Sequence, residues 1–230
     1  MIEDMEYPDV QLMELLGRLL NDIESKFAPK KIFCEGPMKL PLPCPRVSII
    51  GSRNASEQGL VEAKEISKRL IENNVTIVSG LAKGIDTVGH KTAIEYGGKT
   101  IAVIGTPLNK VYPKENAELQ DEIMKNHLVV SQYPVGHNTT PKDFVLRNRT
   151  MALISDATVI VEAGDSSGSL HQGWETLRIG RPLFISKSVV HNDKLEWPGK
   201  MIKYGAMELN EPSDILENLP SDIKMPEIFQ

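Results

Sequence analysis

The chain has 230 residues, of which 40% are hydrophobic and 25% are charged, and its formal net charge at pH 7 is −5. This length and apolar content suit one sizeable α/β core. The acidic balance excludes a protein that coats nucleic acid with its whole surface, because such domains carry a basic excess, so any site for a polyanion has to be local.

In chain order, the first pattern is a leucine-rich segment from Val10 to Phe27 with helical spacing, which predicts an amphipathic helix packed on the main domain. A proline-rich stretch from Pro37 to Pro45 follows it. We therefore predict a lead-in over residues 1–45 and a Rossmann-like domain over residues 46–230.

Beyond residue 45, apolar runs of strand length alternate with amphipathic segments, which is typical of βαβ units and a parallel sheet. The predicted strands are Val47–Ile50, Val75–Val78, Thr100–Ile104, Leu128–Ser131, Ala157–Val161 and Pro182–Ile185. The predicted helices lie near 57–73, 85–96, 115–126, 147–155, 169–179 and 212–219. Right-handed crossovers between the strands make this an α/β fold with a doubly wound, mostly parallel sheet, in which the tail after residue 185 continues the same fold.

The loops after the first two predicted strands combine small residues with one cation. They contain Gly51, Ser52 and Arg53, and then Gly80 and Lys83. Ligands of open parallel sheets bind outside the carboxyl ends of the strands, where a glycine permits close approach and a helix start attracts an anion. These loops therefore predict phosphate binding, with tight capped turns as the alternative. Neither loop matches the dinucleotide or Walker pattern.

The segment before the fifth predicted strand contains Lys142, Phe144, Arg147, Asn148 and Arg149, at what we predict to be a helix start. Cations that track phosphates and a ring that stacks a base, for about 1–3 kcal/mol per base, suit single-stranded nucleic acid. The alternative is that the phenylalanine only anchors the loop to the core.

Two further loops complete the predicted site. The long connection from Gly105 to Asn116 is expected to form one wall of a groove. After the fifth strand, hydroxyls and backbone amides of Ser167, Gly168 and Ser169 are expected to cradle a phosphate, with the side chain of Asp165 pointing away.

Several ordered motifs of the chain together resemble the DNA-processing protein A (DprA/Smf) family. They are VSIIGSRNAS (47–56), SGLAKGIDTVGH (79–90), TIAVIGTPLNKVYPKEN (100–116), SQYPVG (131–136), FVLRNR (144–149) and ATVIVEAGDSSGSL (157–170). The resemblance implies an extended Rossmann fold, single-stranded DNA binding, a homodimer, and loading of a RecA-type recombinase in natural transformation, without catalysis. Residues that match the family's DNA pocket are Arg53, Lys142, Phe144, Arg147 and Arg149.

The chain also departs from the family pattern. Ser186-Lys187 replaces a proline-glycine pair, and His171-Gln172-Gly173-Trp174 stands where small and β-branched residues are common. The chain is also expected to have room for only a truncated N-terminal helical domain and for no C-terminal winged-helix module.

A different class remains open, since related folds bind nucleotides as sensors or cleave nucleoside monophosphates as phosphoribohydrolases. Hydrolysis is disfavoured because Gln172 occupies the position where the catalytic glutamate is expected. Of the remaining acids, Glu162 is expected to cap a helix or pair with a cation, and Glu175 to lie on a solvated helix face.

The remaining expectations concern metals and compartment. The histidines are scattered without ligand spacing, so we expect no metal and no cofactor. Cys34 and Cys44 are not spaced as metal ligands, and the chain does not start like a signal peptide. No apolar stretch approaches the roughly 20 residues that cross a bilayer. We therefore expect a cytoplasmic protein without membrane contact.

Overall fold

A computed structural model describes residues 7–220 of the chain as a nine-stranded sheet covered by helices. The strands are β1 (Asp9–Val10), β2 (Ile32–Glu35), β3 (Arg46–Gly51), β4 (Thr76–Ser79), β5 (Thr100–Ile104), β6 (Leu128–Ser131), β7 (Ala157–Glu162), β8 (Leu183–Ser186) and β9 (Met207–Leu209). The helices are α1 (Leu12–Leu16), α2 (Asp22–Phe27), α3 (Glu57–Glu72), α4 (Ile85–Glu95), α5 (Ala117–Asn126), α6 (Pro141–Ile154), α7 (Ser169–Arg178), α8 (Lys187–Val190), α9 (Trp197–Lys203) and α10 (Pro212–Glu217), and a 3₁₀ turn (Lys114–Asn116) precedes α5.

The strand order is β1-β2-β6-β5-β4-β3-β7-β8-β9. The pairs β1–β2 and β2–β6 are antiparallel, and all other neighbours are parallel. The chain builds outwards from β3 to β6 and then returns to place β7 beside β3. The connections that follow β3 and β7 therefore diverge, and the divergence opens a crevice at the carboxyl edge of the sheet. This confirms the α/β, doubly wound, mostly parallel class.

Strands β3 to β8 are buried on both faces of the sheet, which explains why most of their residues are apolar. In β3, Ile50 packs in the same cluster as Met151 of α6, whereas Ile49 packs with Ile66 of α3 on the other side. A third cluster joins Ile104 of β5 to the helix α5. Within residues 7–220, no helix combines the length and the apolar character needed to cross a membrane.

The six strands predicted from sequence are confirmed to within one residue at each end, and the tail continues the sheet through β9. Strands β1 and β9 were not predicted, because they have only 2 and 3 residues, and β2 was not predicted because it lies in the segment interpreted as a lead-in. The division of the chain at residue 45 stays a prediction.

The single helix predicted from Val10 to Phe27 is wrong, because the segment forms the two helices α1 and α2. Gly17 ends α1 with a left-handed φ of 67°, a conformation that favours glycine. Asn21 then caps α2, where it accepts a hydrogen bond from the backbone N–H of Glu24 at 2.9 Å. The predicted packing on the main domain is confirmed by Leu12 and Leu15, which are buried in the core.

The predicted helix start near residue 147 is also wrong, because α6 begins at Pro141. Proline suits the first helical position, and the backbone N–H of Thr140 donates to the Asp143 carboxylate at 2.7 Å. Arg147 and Arg149 consequently lie well inside the helix. They are not placed beside the free N–H groups of its first turn.

Candidate functional site

A cleft of about 700 Å³ opens at the carboxyl edge of the sheet, between the loops after β3 and β7 and one side of α6. The predicted site residues that line it are Gly51, Ser52, Arg53, Phe144, Arg147, Asn148, Ser167, Gly168 and Ser169. A smaller recess of about 250 Å³ beside it is lined by the predicted residues Gly80 and Lys83. Lys142 and Arg149 line neither cavity.

Arg53 is the exposed cation of the cleft and also lines the smaller recess. Its loop is held by Ser52, whose hydroxyl accepts a hydrogen bond from the backbone N–H of Asn54 at 3.1 Å. None of the ion pairs formed within residues 7–220 includes Arg53. Its guanidinium is therefore available to an anion that enters the cleft.

An aromatic pair forms another part of the cleft. The rings of Phe144 and Tyr112 lie 5.0 Å apart between centroids, and Tyr112 is 48% exposed. Gly105 permits this position of Phe144, since a Cβ there would come within 2.7 Å of the ring. The predicted groove wall is thus confirmed through Tyr112, a site residue that we did not single out from the sequence.

Arg147 is buried and holds the sheet and α6 together. Its Nη1 donates to the carbonyl oxygens of Gly80, after β4, and of Val103 in β5, the second at 2.7 Å. Its Nε has no hydrogen-bond partner among the described residues. Burial lowers the pKa of Arg147, while the nearby Asp86 carboxylate acts in the opposite direction. Most of this side chain is therefore committed to the protein itself.

The serine-rich loop after β7 is fixed from α6. The side-chain amide of Asn148 donates to the carbonyl oxygen of Gly168 at 3.0 Å. The hydroxyls of Ser167 and Ser169 lie 2.6 Å apart at the start of α7. Asp165 is exposed and does not line the cleft. The loop thus presents hydroxyls to the cleft without a carboxylate beside them.

The remaining predicted cations differ in their partners. Arg149 donates to the Glu175 carboxylate at 3.1 Å, and its guanidinium stacks 4.8 Å from the Phe27 ring centroid. Lys83 pairs with Glu115 at 2.5 Å. Lys142 is exposed in the first turn of α6.

Three acidic side chains near the site are bound by the protein. The carboxylate of Glu162 accepts from the backbone N–H of Ser56 at 3.0 Å, which confirms its predicted capping role. The prediction for Glu175 is wrong: its side chain is only 12% exposed because arginines surround it. Asp86 accepts from the backbone N–H of Gly80 at 3.1 Å, and burial raises the pKa of Asp86.

The sequence indicated Gln172 only as a replacement for an expected catalytic glutamate. Gln172 is fully buried in α7 and lines the cleft, yet neither atom of its amide has a partner among the described residues. No sequence pattern signals such an unpaired state. Residues 7–220 contain no cluster of three metal-ligating side chains.

Comparisons with known proteins give consistent results. A family model described as DNA recombination-mediator protein A matches residues 1–220. The chain is similar to the DNA processing protein DprA of Streptococcus pneumoniae, with 39% identity over 82% of this chain and 66% of that protein. An X-ray structure of S. pneumoniae DprA matches 95% of this chain and 76% of that chain, with 35% identity and a TM-score of 0.81.

The chain is also similar to a solved structure of DNA processing protein A from Helicobacter pylori, which describes the single-stranded DNA binding mode of that protein. It matches 94% of this chain and 99% of that chain, with 25% identity and a TM-score of 0.76. The matched region covers 66% of the S. pneumoniae protein, 65% of DprA from Bacillus subtilis and 51% of protein Smf from Escherichia coli, so the chain spans only part of the length of these relatives.

Proposed function

Since this chain belongs to the DNA recombination-mediator protein A family, which includes the DprA/Smf proteins, we propose that it binds single-stranded DNA in the cleft at the carboxyl edge of its sheet. The observation that carries the proposal is the exposed Arg53, which forms no ion pair within residues 7–220 and lies beside the Phe144–Tyr112 pair. A guanidinium binds phosphate, and an aromatic face stacks an exposed base without regard to its identity.

Other groups in the cleft, and Lys142 outside it, support the same ligand. The hydroxyls of Ser167 and Ser169 and the start of α7 suit a second phosphate, and Lys142 extends the positive charge along the rim of α6. We propose the remaining predicted residues as supports, with Arg147 and Asn148 fixing the loops. A local site of this kind is compatible with a net charge of −5.

We propose binding without catalysis. The position expected to carry a catalytic glutamate in a phosphoribohydrolase holds Gln172, whose neutral amide cannot act as a general acid or base. Glu162 and Glu175 are engaged by a helix cap and by arginines respectively. A nucleotide-binding role without turnover is the second candidate, favoured by the unpaired amide of Gln172.

Family membership also supports a homodimer and assistance to a RecA-type recombinase, and we include both in the proposal. Light scattering at several protein concentrations measures the first. Recombinase-driven strand exchange, with and without this protein, measures the second. A monomer at all concentrations, or an unchanged exchange rate, contradicts the corresponding part.

The experiment that tests DNA binding is fluorescence anisotropy with labelled oligothymidylates from one to about thirty nucleotides, a range that exceeds the usual site size of single-strand binders. It is run at two salt concentrations with duplex DNA as competitor. We expect affinity to rise with length, to fall with salt and to resist the duplex. Saturation at one nucleotide instead supports the nucleotide-binding candidate, and absence of binding rejects both.

A further inference from the structure

The unpaired amide of Gln172 points to a ligand contact that the proposed phosphate and stacking groups do not use. The side chain is 0% exposed, and both its Nε2 and its Oε1 have no partner within residues 7–220. A buried amide without hydrogen bonds is costly, so a native protein rarely keeps one unless another group pairs with it.

The position of Gln172 places it below the polar rim of the cleft. In α7 it follows Ser169 by three residues, which puts both on one side of the helix. On α6, Met151 follows Asn148 by three residues, and Asn148 is bonded to Gly168 at the start of α7. Met151 and Gln172 therefore lie one helical turn deeper than Ser169, which is proposed to hold phosphate, and Asn148, which fixes its loop.

Two buried apolar side chains line the cleft together with Gln172. Met151 and Ile50 of β3 are 2% and 1% exposed, and both line the cleft with the glutamine. Apolar walls with one precisely placed donor and acceptor are typical of pockets for planar heterocycles, including unstacked bases. Every nucleobase has an edge that offers a donor next to an acceptor, the complement of a carboxamide.

We propose that Gln172 pairs with the polar edge of an unstacked nucleobase that enters the cleft against Ile50 and Met151, while its phosphate stays at the level of Arg53 and Ser169. The inference rests on the proposed function insofar as a DNA strand supplies the base. A free mononucleotide offers the same chemistry, and the experiment separates the two sources.

The test compares wild type with Gln172→Met, which keeps an unbranched side chain and removes both hydrogen-bonding atoms. Anisotropy is measured with oligothymidylate and with an abasic deoxyribose-phosphate strand of equal length, and thymidine monophosphate is titrated separately. Loss of a bidentate contact should weaken oligothymidylate binding about tenfold. Binding of the abasic strand should be unchanged, since it has no base to lose.

Thermal unfolding distinguishes a ligand contact from a structural role, because loss of a structural residue would lower the Tm. Removal of an unpaired polar group should leave the Tm of Gln172→Met equal to or above that of wild type. Ser67→Ala is the matched control, because Ser67 is also buried with an unpaired hydroxyl, but it lies in α3 and does not line the cleft. We expect this variant to bind both strands like wild type.

The outcomes separate this inference from the proposed function. Suppose that wild type binds both strands and that Gln172→Met weakens the binding of both strands equally or of neither strand. DNA binding then stands and the base contact is rejected. A lowered Tm of Gln172→Met also rejects the base contact. If no DNA binds but thymidine monophosphate binds in a Gln172-dependent manner, the base contact stands and DNA binding is rejected. Failure of every ligand rejects both.

Discussion

The arginines at the two edges of the sheet differ in what surrounds them. At the amino edge, Arg46 pairs with Asp156 at 3.0 Å, and Arg181 pairs with Glu24 at 2.6 Å, all with side chains that are at most 12% exposed. At the carboxyl edge, Arg53 is exposed in the cleft and belongs to no ion pair within the described residues.

This difference shows why the net charge of the chain says little about its ligands. A guanidinium already paired with a buried carboxylate is neutralised locally, and it holds the fold together. A guanidinium that is not paired with a carboxylate remains able to attract an external anion. The same residue type thus has a structural role at one edge of the sheet and a proposed binding role at the other.

The largest effect is expected from breaking the amino-edge network. Glu24→Gln leaves Arg181 buried without its carboxylate, so the free energy of unfolding should fall by about 3 kcal/mol. Urea unfolding followed by circular dichroism measures it. Glu95→Gln is the control, since Glu95 pairs with Lys64 at an exposed site, where the loss of stability should be much smaller. Equal losses would contradict the contrast.

The same network predicts a pH dependence. The hydrogen bond from Arg18, with help from Arg181, lowers the pKa of Glu24 to about 2 from its ordinary 4.5. Because the pKa of Glu24 is lower in the folded state than in the unfolded state, its carboxylate stabilises the fold at pH values above 4.5. This stabilisation is lost as the pH falls from 4.5 towards 2. The stability difference between wild type and Glu24→Gln should shrink over that interval, as measured by urea titrations at several pH values. A constant difference would contradict it.

At the carboxyl edge, Arg53→Ala should weaken oligothymidylate binding about tenfold, because one charge-assisted contact is lost. The slope of log affinity against log salt should become shallower by about 0.7, the value for one single-strand phosphate. Anisotropy at several salt concentrations measures both.

Arg69→Ala is the control for that variant, since Arg69 lies on α3 and pairs with Glu72 at 3.5 Å. It removes the same charge away from the cleft and should leave the slope unchanged. Parallel losses in both variants would show that total charge, rather than a local site, governs binding.

Much of the fold was predictable because β3 to β8 are buried on both faces and are therefore mostly apolar. The boundary at Pro141 was also present in the sequence, as a threonine followed by proline and then by an acid. The short strands β1 and β9 have too few residues to show a period, and their existence depends on pairing with distant segments.

The sequence predicted which loops form the candidate site, but not which of its side chains have ion-pair or hydrogen-bond partners. Arg53 and Arg149 are the same residue type. Nothing in the neighbouring sequence indicates that the carboxylate of Glu175, 26 residues further on, lies 3.1 Å from the guanidinium of Arg149. The unpaired state of Gln172 is likewise a property of the packing of α6 against α7. Sequence patterns indicate which residues follow a strand, whereas tertiary contacts determine which of them are free.

The smallest effect is expected from Arg149→Ala. Because Glu175 and the Phe27 ring already hold its guanidinium, its removal should weaken oligothymidylate binding by less than about twofold, as for other charges outside a direct contact. Anisotropy beside Arg53→Ala, under the same salt conditions, measures the ratio. A loss as large as that of Arg53→Ala would mean that Arg149 exchanges Glu175 for phosphate when DNA binds. The contrast between paired and unpaired arginines would then describe the free protein alone.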